Sequence, residues 1–346
     1  MIFFKKISLT FRTFFTKYDV SFDIITKNCY NAYRNKYHYF PHTQQYCVEK
    51  IRFIMSNAKK IAIVTDSNSG ITPETTKELG IFVVPMPFLI NGDPYFENIN
   101  LSQEEFYVLL GQQASVSTSQ PSPGDLTELW DTILKTHDEL VHIPMSSGLS
   151  QSCATAINLA QDYNGKVQVV DNHRISVTLK ESICDAIKLR DMGKSAAEIK
   201  EYLQQTSGDS SIYIAVDTMK YLKKGGRVTP AAAMIGTILK LKPILQIHGE
   251  RLDKYALARG SAKAKEMLKA ALKNDLETTF AQYVQNGEMT ISLAYTDNKD
   301  EALQFAEEIK ALFPHIPFRF CDPLSLSVSC HIGTGALGLT CTRILK

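Results

Sequence analysis

Apolar and polar positions along residues 59–346 repeat in the order strand, turn, helix. IAIVTD (61–66) is a short apolar run that stops at a polar turn, and PETTKELG reads as a helix closed by Gly80. IFVVPMPFLI (81–90) predicts a second strand region, which its prolines place at an edge or a bend. LSQEEFYVLLG predicts a helix opened by Ser102, with Glu105 at capping-box spacing. PGDLTELWDTILK is an amphipathic helix, ELVHIP (139–144) a strand and LSQSCATAINLAQDY a helix. VQVVD (167–171) is another strand, followed by a long helix to about residue 192. This βαβ alternation predicts an α/β domain with a mainly parallel sheet.

A second unit begins near residue 209. SIYIAVD reads as a strand, TMKYLKKGG as a short helix ending in two glycines, and TPAAAMIGTILK as a helix with Pro230 at its start. LKPILQIHG and RLDKYALA read as paired strands across a Gly-containing turn, and SAKAKEMLKAALKNDLE as a helix. MTISLAYTD, DEALQFAEEIKALF and PFRFCDP form a strand–helix–strand passage. The expected division is an extension over 1–57, an N-terminal α/β domain over 58–208 and a C-terminal domain over 209–346.

Composition changes this picture mainly at the start of the chain. Nine of the 38 Lys and Arg and three of the 36 Asp and Glu fall in the first 54 residues. That segment therefore carries +6 and the rest −4, so the overall +2 conceals a mildly acidic body. The same 54 residues hold 14 of the 33 aromatics, one Pro and no Gly. Charges interrupt each apolar run, which excludes a membrane-spanning helix there, and no uncharged core leads to a secretory cleavage site. Met55 precedes the first clear strand, so the expectation is that translation starts at Met55; a basic membrane-surface arm is the alternative. The seven cysteines show no CxxC pair or zinc-like spacing and read as inert thiols in a reducing cytoplasm.

Several stretches carry candidate chemistry. GTGALG (333–338) matches GxGxxG, but only eight residues follow it, too few for the helix and acidic residue of a dinucleotide site. Its glycines still permit close backbone approach and leave N–H groups for an anion. His331 precedes them without a second ligand at metal spacing, so no metal is expected. Asp66, Ser67 and Ser69 end the first strand, where open α/β sheets bind ligands; an Asx turn and helix cap is the structural reading of the same residues. Ser146 and Ser147 in MSSGLSQS (145–152), and the hydroxyls of STSQPSPGD (117–125), each precede a predicted helix, a place suited to an anion or to simple capping. No GxSxG elbow supports a serine hydrolase. KKGGR (223–227) and the basic helix opened by Arg259 lack interleaved aromatics, so no nucleic-acid partner is expected.

Taken together, IAIVTDSNSG, TSQPSPGD, SSGLS, VDTMKYLKKGGRV, LKPIL and HIGTGALG resemble the DegV family, in the family's order and over roughly residues 59–346. The resemblance implies a two-domain fold: a parallel-sheet α/β domain and a smaller C-terminal α+β domain, with a long-chain fatty acid bound between them. It implies a cytoplasmic, non-enzymatic carrier that presents the acyl carboxylate to a bacterial fatty acid kinase for acyl-phosphate formation and phospholipid synthesis. Transient contact with a membrane fits such a role, and no further cofactor is implied. By the same resemblance, the carboxylate meets Thr118 or Ser119, with Ser146 or Ser147 close by and His331 beside them, and Arg227 and Arg259 match positions tied to kinase engagement or phosphotransfer. The chain departs from the family at SSGLSQ, at VDNH and in ALARGSAKA, a loose match around Arg259. Two other classes remain beside the carrier: an enzyme acting on a small anion, and a regulatory protein whose lipid is structural.

Overall fold

The computed structural model describes residues 59–235, 241–247 and 251–346. The expected extension over 1–57, the end of the TPAAAMIGTILK helix and the turn at 248–250 lie outside these residues. In chain order the first elements are β1 (Ile61–Asp66), α1 (Pro73–Leu79), β2 (Phe82–Val84), β3 (Phe88–Ile90) and β4 (Asp93–Tyr95). There follow α2 (Gln103–Gly111), β5 (Val116–Thr118), α3 (Pro123–Leu134), β6 (Glu139–Ile143), α4 (Ser152–Ala160) and β7 (Val167–Val169). Two helices, α5 (Ser176–Asp191) and α6 (Ala196–Gln205), complete this part.

β2, β1, β6 and β7 form a parallel sheet in that order. Its strands are apolar on both faces, as a covered parallel sheet requires: β1 is buried throughout. Trp130 of α3 packs on one face with Val64 and Leu140; Ile183 of α5 and Ile199 of α6 pack on the other with Ile63 and Val141. The chain leaves β1 toward β2 but leaves β6 toward β7, so the sheet order reverses between β1 and β6. The carboxyl ends of these two strands therefore flank a crevice.

The predicted strand region 81–90 is two strands in two sheets. Pro85 and Pro87 interrupt it, and β3 pairs instead with β4 and β5 in a small antiparallel sheet. The capping box at Ser102 and Glu105 is present, with hydrogen bonds of 3.2 and 2.9 Å.

The second half contributes β8 (Ser210–Ala215), α7 (Lys220–Gly225), α8 (Pro230–Ala233), β9 (Leu241–Ile247) and β10 (Leu252–Arg259). It continues with α9 (Gly260–Glu277), α10 (Ala281–Gln285), β11 (Met289–Tyr295), α11 (Lys299–Leu312), β12 (Phe318–Pro323), α12 (Leu326–Ile332) and β13 (Leu337–Arg343). The sheet order is β10-β9-β8-β13-β11-β12. Only β11–β12 is parallel, joined through α11. Alternate residues face opposite sides: Tyr213 packs with Leu268 of α9, whereas Ile214 belongs to the core shared with α5. Residues 59–346 form one compact unit.

A candidate acyl-binding cavity

A cavity of about 250 Å³ lies between the crevice and the inner face of the six-stranded sheet. This exceeds the ~150 Å³ that admits benzene in an engineered apolar core. Ile212, Ile214, Ala294 and Gly338 line it from the sheet, and Met145, Leu149, Ile175 and Val177 from the opposite side. The wall is mainly apolar; Ser119 and Gln151 are its exposed members, with Thr118, Gln120 and Ser150 next to them in the chain, and Asn68, Ser176, Ser327 and Thr340 are buried polar members.

Two short elements set the polar end. Thr118 closes β5, where its pairing with Phe88 fixes it. His331 lies in the last turn of α12, docked by remote groups. Glu97 accepts the backbone N–H of Leu326 at 2.9 Å, which serves a helix start whose own Ser325 makes no cap, and Tyr107 and Ser329 share a 3.0 Å bond. Thr118 Oγ1 and His331 Nε2 meet at 2.8 Å. Gly225 at the end of α7 presses against the imidazole so closely that a Cβ there would overlap Nδ1. Burial first, and then the charge of Arg227, lower the His331 pKa from its ordinary 6.5 to about 4. The imidazole is thus neutral near pH 7, able to donate one hydrogen bond and accept another.

Arg227 is the one charged side chain in the lining formed by the described residues. Its Nε donates to the Leu149 carbonyl at 3.3 Å and its Nη1 to the Gly225 carbonyl, which ties the basic turn to the serine loop. Arg259 is exposed at the end of β10 and lines no part of the cavity.

Ser146 and Ser147 do not line it either. The Ser146 hydroxyl accepts the Gly148 N–H at 3.2 Å, and its carbonyl accepts from Leu149 and Ser150. The Ser147 N–H donates to Asp171 at 3.3 Å. This turn instead carries Ser150 and Gln151 into the wall. Asp66 likewise holds the fold: its carboxylate accepts the N–H groups of Asn68 (2.9 Å) and Met145 (2.8 Å), and burial pushes its pKa up to about 6. Ser67 accepts the Met86 N–H, and Ser69 donates to the Asp66 carbonyl. Asn68, not singled out from the sequence, is buried in the cavity wall. Its Oδ1 accepts from Ser325 (2.8 Å) and Ser327, while its Nδ2 meets the Met145 sulfur, a weak acceptor, at 2.8 Å.

In GTGALG the Gly333 N–H donates to the Ser329 carbonyl. Gly333 packs on Tyr221, Gly335 packs on Asp217, both have positive φ, and Gly338 lies inside β13. Close approach is what they provide.

A family model described as an uncharacterised protein of the DegV family matches residues 60–343. The chain belongs to the DegV family. A DegV domain-containing protein of Deinococcus radiodurans is 30% identical over 282 residues, covering 81% of this chain and 97% of that one. Protein DegV of Bacillus subtilis is 28% identical over 289 residues, covering 81% and 98%. Among solved structures, a Thermus thermophilus DegV family protein described as binding fatty acid superposes with a TM-score of 0.73 at 26% identity, over 82% of this chain and all of that one. Bacillus subtilis DegV, described as a fatty acid binding protein, gives 0.71 at 26% identity, over 82% and 99%. The DegV fold, with a parallel sheet, a small antiparallel sheet and a six-stranded sheet that is antiparallel except at β11–β12, is thus the fold of this chain. No described helix is long and apolar enough to cross a membrane.

Proposed function

We propose that this DegV protein binds a long-chain fatty acid, with the carboxylate against Thr118, Ser119 and His331 and the acyl chain along the apolar wall. The observation that carries this reading is the 2.8 Å Thr118–His331 pair at the solvent end of a mainly apolar cavity. A buried carboxylate is costly unless its oxygens are hydrogen-bonded, and short hydroxyls beside a neutral imidazole donate without adding charge. Each buried methylene contributes about 0.8 kcal/mol, so the tail supplies affinity while the hydroxyl cluster sets register. The Ser146–Ser147 turn serves this site by holding Ser150 and Gln151 in place.

The finer reading is a cytoplasmic carrier without turnover of its own, which hands the carboxylate to a fatty acid kinase for acyl-phosphate and phospholipid synthesis. Arg227 beside the head group, and exposed Arg259, are its candidate points of engagement; transient membrane contact serves loading. Such a transfer depends mainly on positioning and charge stabilisation.

Mass spectrometry of the purified protein, native and after organic extraction, tests the reading. A stoichiometric, exchangeable fatty acid is expected. An empty protein that refuses oleate and palmitate overturns it. Turnover of a small anion without a partner would favour the enzyme reading, and a lipid that never exchanges would favour a structural one.

A further inference from the structure

Gly338 differs from the glycines around it. Gly333 and Gly335 have positive φ and press on neighbouring side chains, so each needs to be glycine. Gly338 sits in the interior of β13, paired on one side with Ile214 and on the other with Ala294. Its φ lies outside the left-handed region. A Cβ there would meet only the Ala294 carbonyl at 3.5 Å and Ile214 at 3.8 Å, ordinary contacts. Neither backbone conformation nor protein packing asks for glycine, and glycine inside a strand costs stability relative to alanine. What a side chain would take up is cavity, because Gly338 and both of its partners line it. The missing side chain and the small Ala294 beside it leave a shallow trough in the sheet. Ser119 and Gln151 are the exposed members of the lining, whereas Ala294, Gly338 and Thr340 are buried, so the trough lies in the interior part of the wall, on the sheet. The Thr340 hydroxyl there already donates to the Ser292 carbonyl and makes no demand on a ligand.

We infer that Gly338, with Ala294 beside it, is where the acyl chain lies on the sheet backbone, and that this pair sets the length and bulk of chain the cavity admits. The inference rests on the fatty-acid reading above. It assigns chain selection to a backbone surface: a side chain added at 338 narrows the passage, and only chains that end before it keep their contacts.

The test uses the full chain freed of lipid by extraction, as the parent and as Gly338→Ala and Gly338→Val. Each is titrated with laurate, palmitate and stearate. Stearate affinity relative to laurate is expected to fall at least about tenfold in Gly338→Val, since several methylenes lose their burial. Gly338→Ala falls between, with a ligand-free Tm at or above the parent's. If Gly338→Val does not fold, the ratio in Gly338→Ala decides. An unchanged stearate-to-laurate ratio in a folded variant overturns the inference while leaving fatty-acid binding intact. A parent that binds none of the three overturns the fatty-acid reading, and the inference with it.

Discussion

Protonation of His331 opposes folding, because the folded protein holds its pKa near 4 while the unfolded chain takes up the proton near 6.5. No penalty exists above about pH 6.5; it grows as pH falls toward 4, where the folded form protonates as well. Asp66, raised to about 6 by burial, acts in the opposite sense over the same range, so the parent's curve alone does not isolate the histidine. The difference between parent and His331→Asn does: urea melts from pH 8 to 4.5 are expected to show a smaller loss on acidification in the variant. A ligand carboxylate beside the ring favours the charged form, so bound fatty acid is expected to raise the His331 pKa, visible in its imidazole NMR shifts. Thr118→Ala removes the proposed hydrogen bond to the carboxylate, about 1.5–3 kcal/mol, and is expected to weaken fatty-acid binding at least tenfold by fluorescence titration, with Thr118→Ser nearer the parent. Ser146→Ala is expected to leave affinity within about twofold and to lower stability by about 0.5–1.5 kcal/mol, since its hydroxyl serves the Gly148 N–H.

At the scale of elements, the proposed head-group site depends on α7 and α12 lying close enough for Gly225 to touch the His331 ring. Gly225→Ala places a methyl where Nδ1 sits, so the ring must leave Thr118 or the helices must part. Fatty-acid affinity in that variant is expected to fall as far as in His331→Ala, although residue 225 carries no polar side chain; affinity equal to the parent's would show that the helices yield without cost. The motifs that matter were legible in the sequence, but the wall residues within them were less so. In MSSGLSQS the turn directs the Ser146 hydroxyl to the Gly148 N–H and the Ser147 N–H to Asp171, and brings Ser150 and Gln151 to the cavity, which only turn geometry decides. The α12 helix was hidden because Leu324, Leu326, Val328 and Cys330 alternate with serines and so imitate a strand's period of two. Glu97, Gln103 and Tyr107, distant in sequence, tip it to helix by binding Leu326, Leu324 and Ser329. α6 carries a capping box at Ser195 and Glu198, a signal present in the sequence and passed over.

Across the whole molecule, charge is distributed unevenly. Residues 218–259 hold nine Lys and Arg against two Asp and Glu, which leaves the rest of 59–346 with 20 against 31. That block includes Arg227 in the cavity wall and Arg259 on the surface. If it meets the proposed kinase through acidic groups of that partner, association is expected to weaken steeply as salt rises from 0.05 to 0.5 M. Arg259→Glu, outside the cavity, is expected to impair coupling while bound lipid is retained, and loss of the lipid in that variant, seen by mass spectrometry, would overturn this. The βα order made the parallel sheet predictable, whereas β13 was not, because a Gly-containing run that joins β8 to β11 is specified by partners far away in sequence. The position of β13 has a consequence for the protein's synthesis. A ribosome delivers residues 337–343 long after β8 and β9, yet the six-stranded sheet has a gap at its centre until they arrive. Gly338 and Thr340 belong to that late strand and to the cavity wall. An emerging chain therefore has no finished pocket, and the proposed loading with fatty acid must wait until this strand has been inserted.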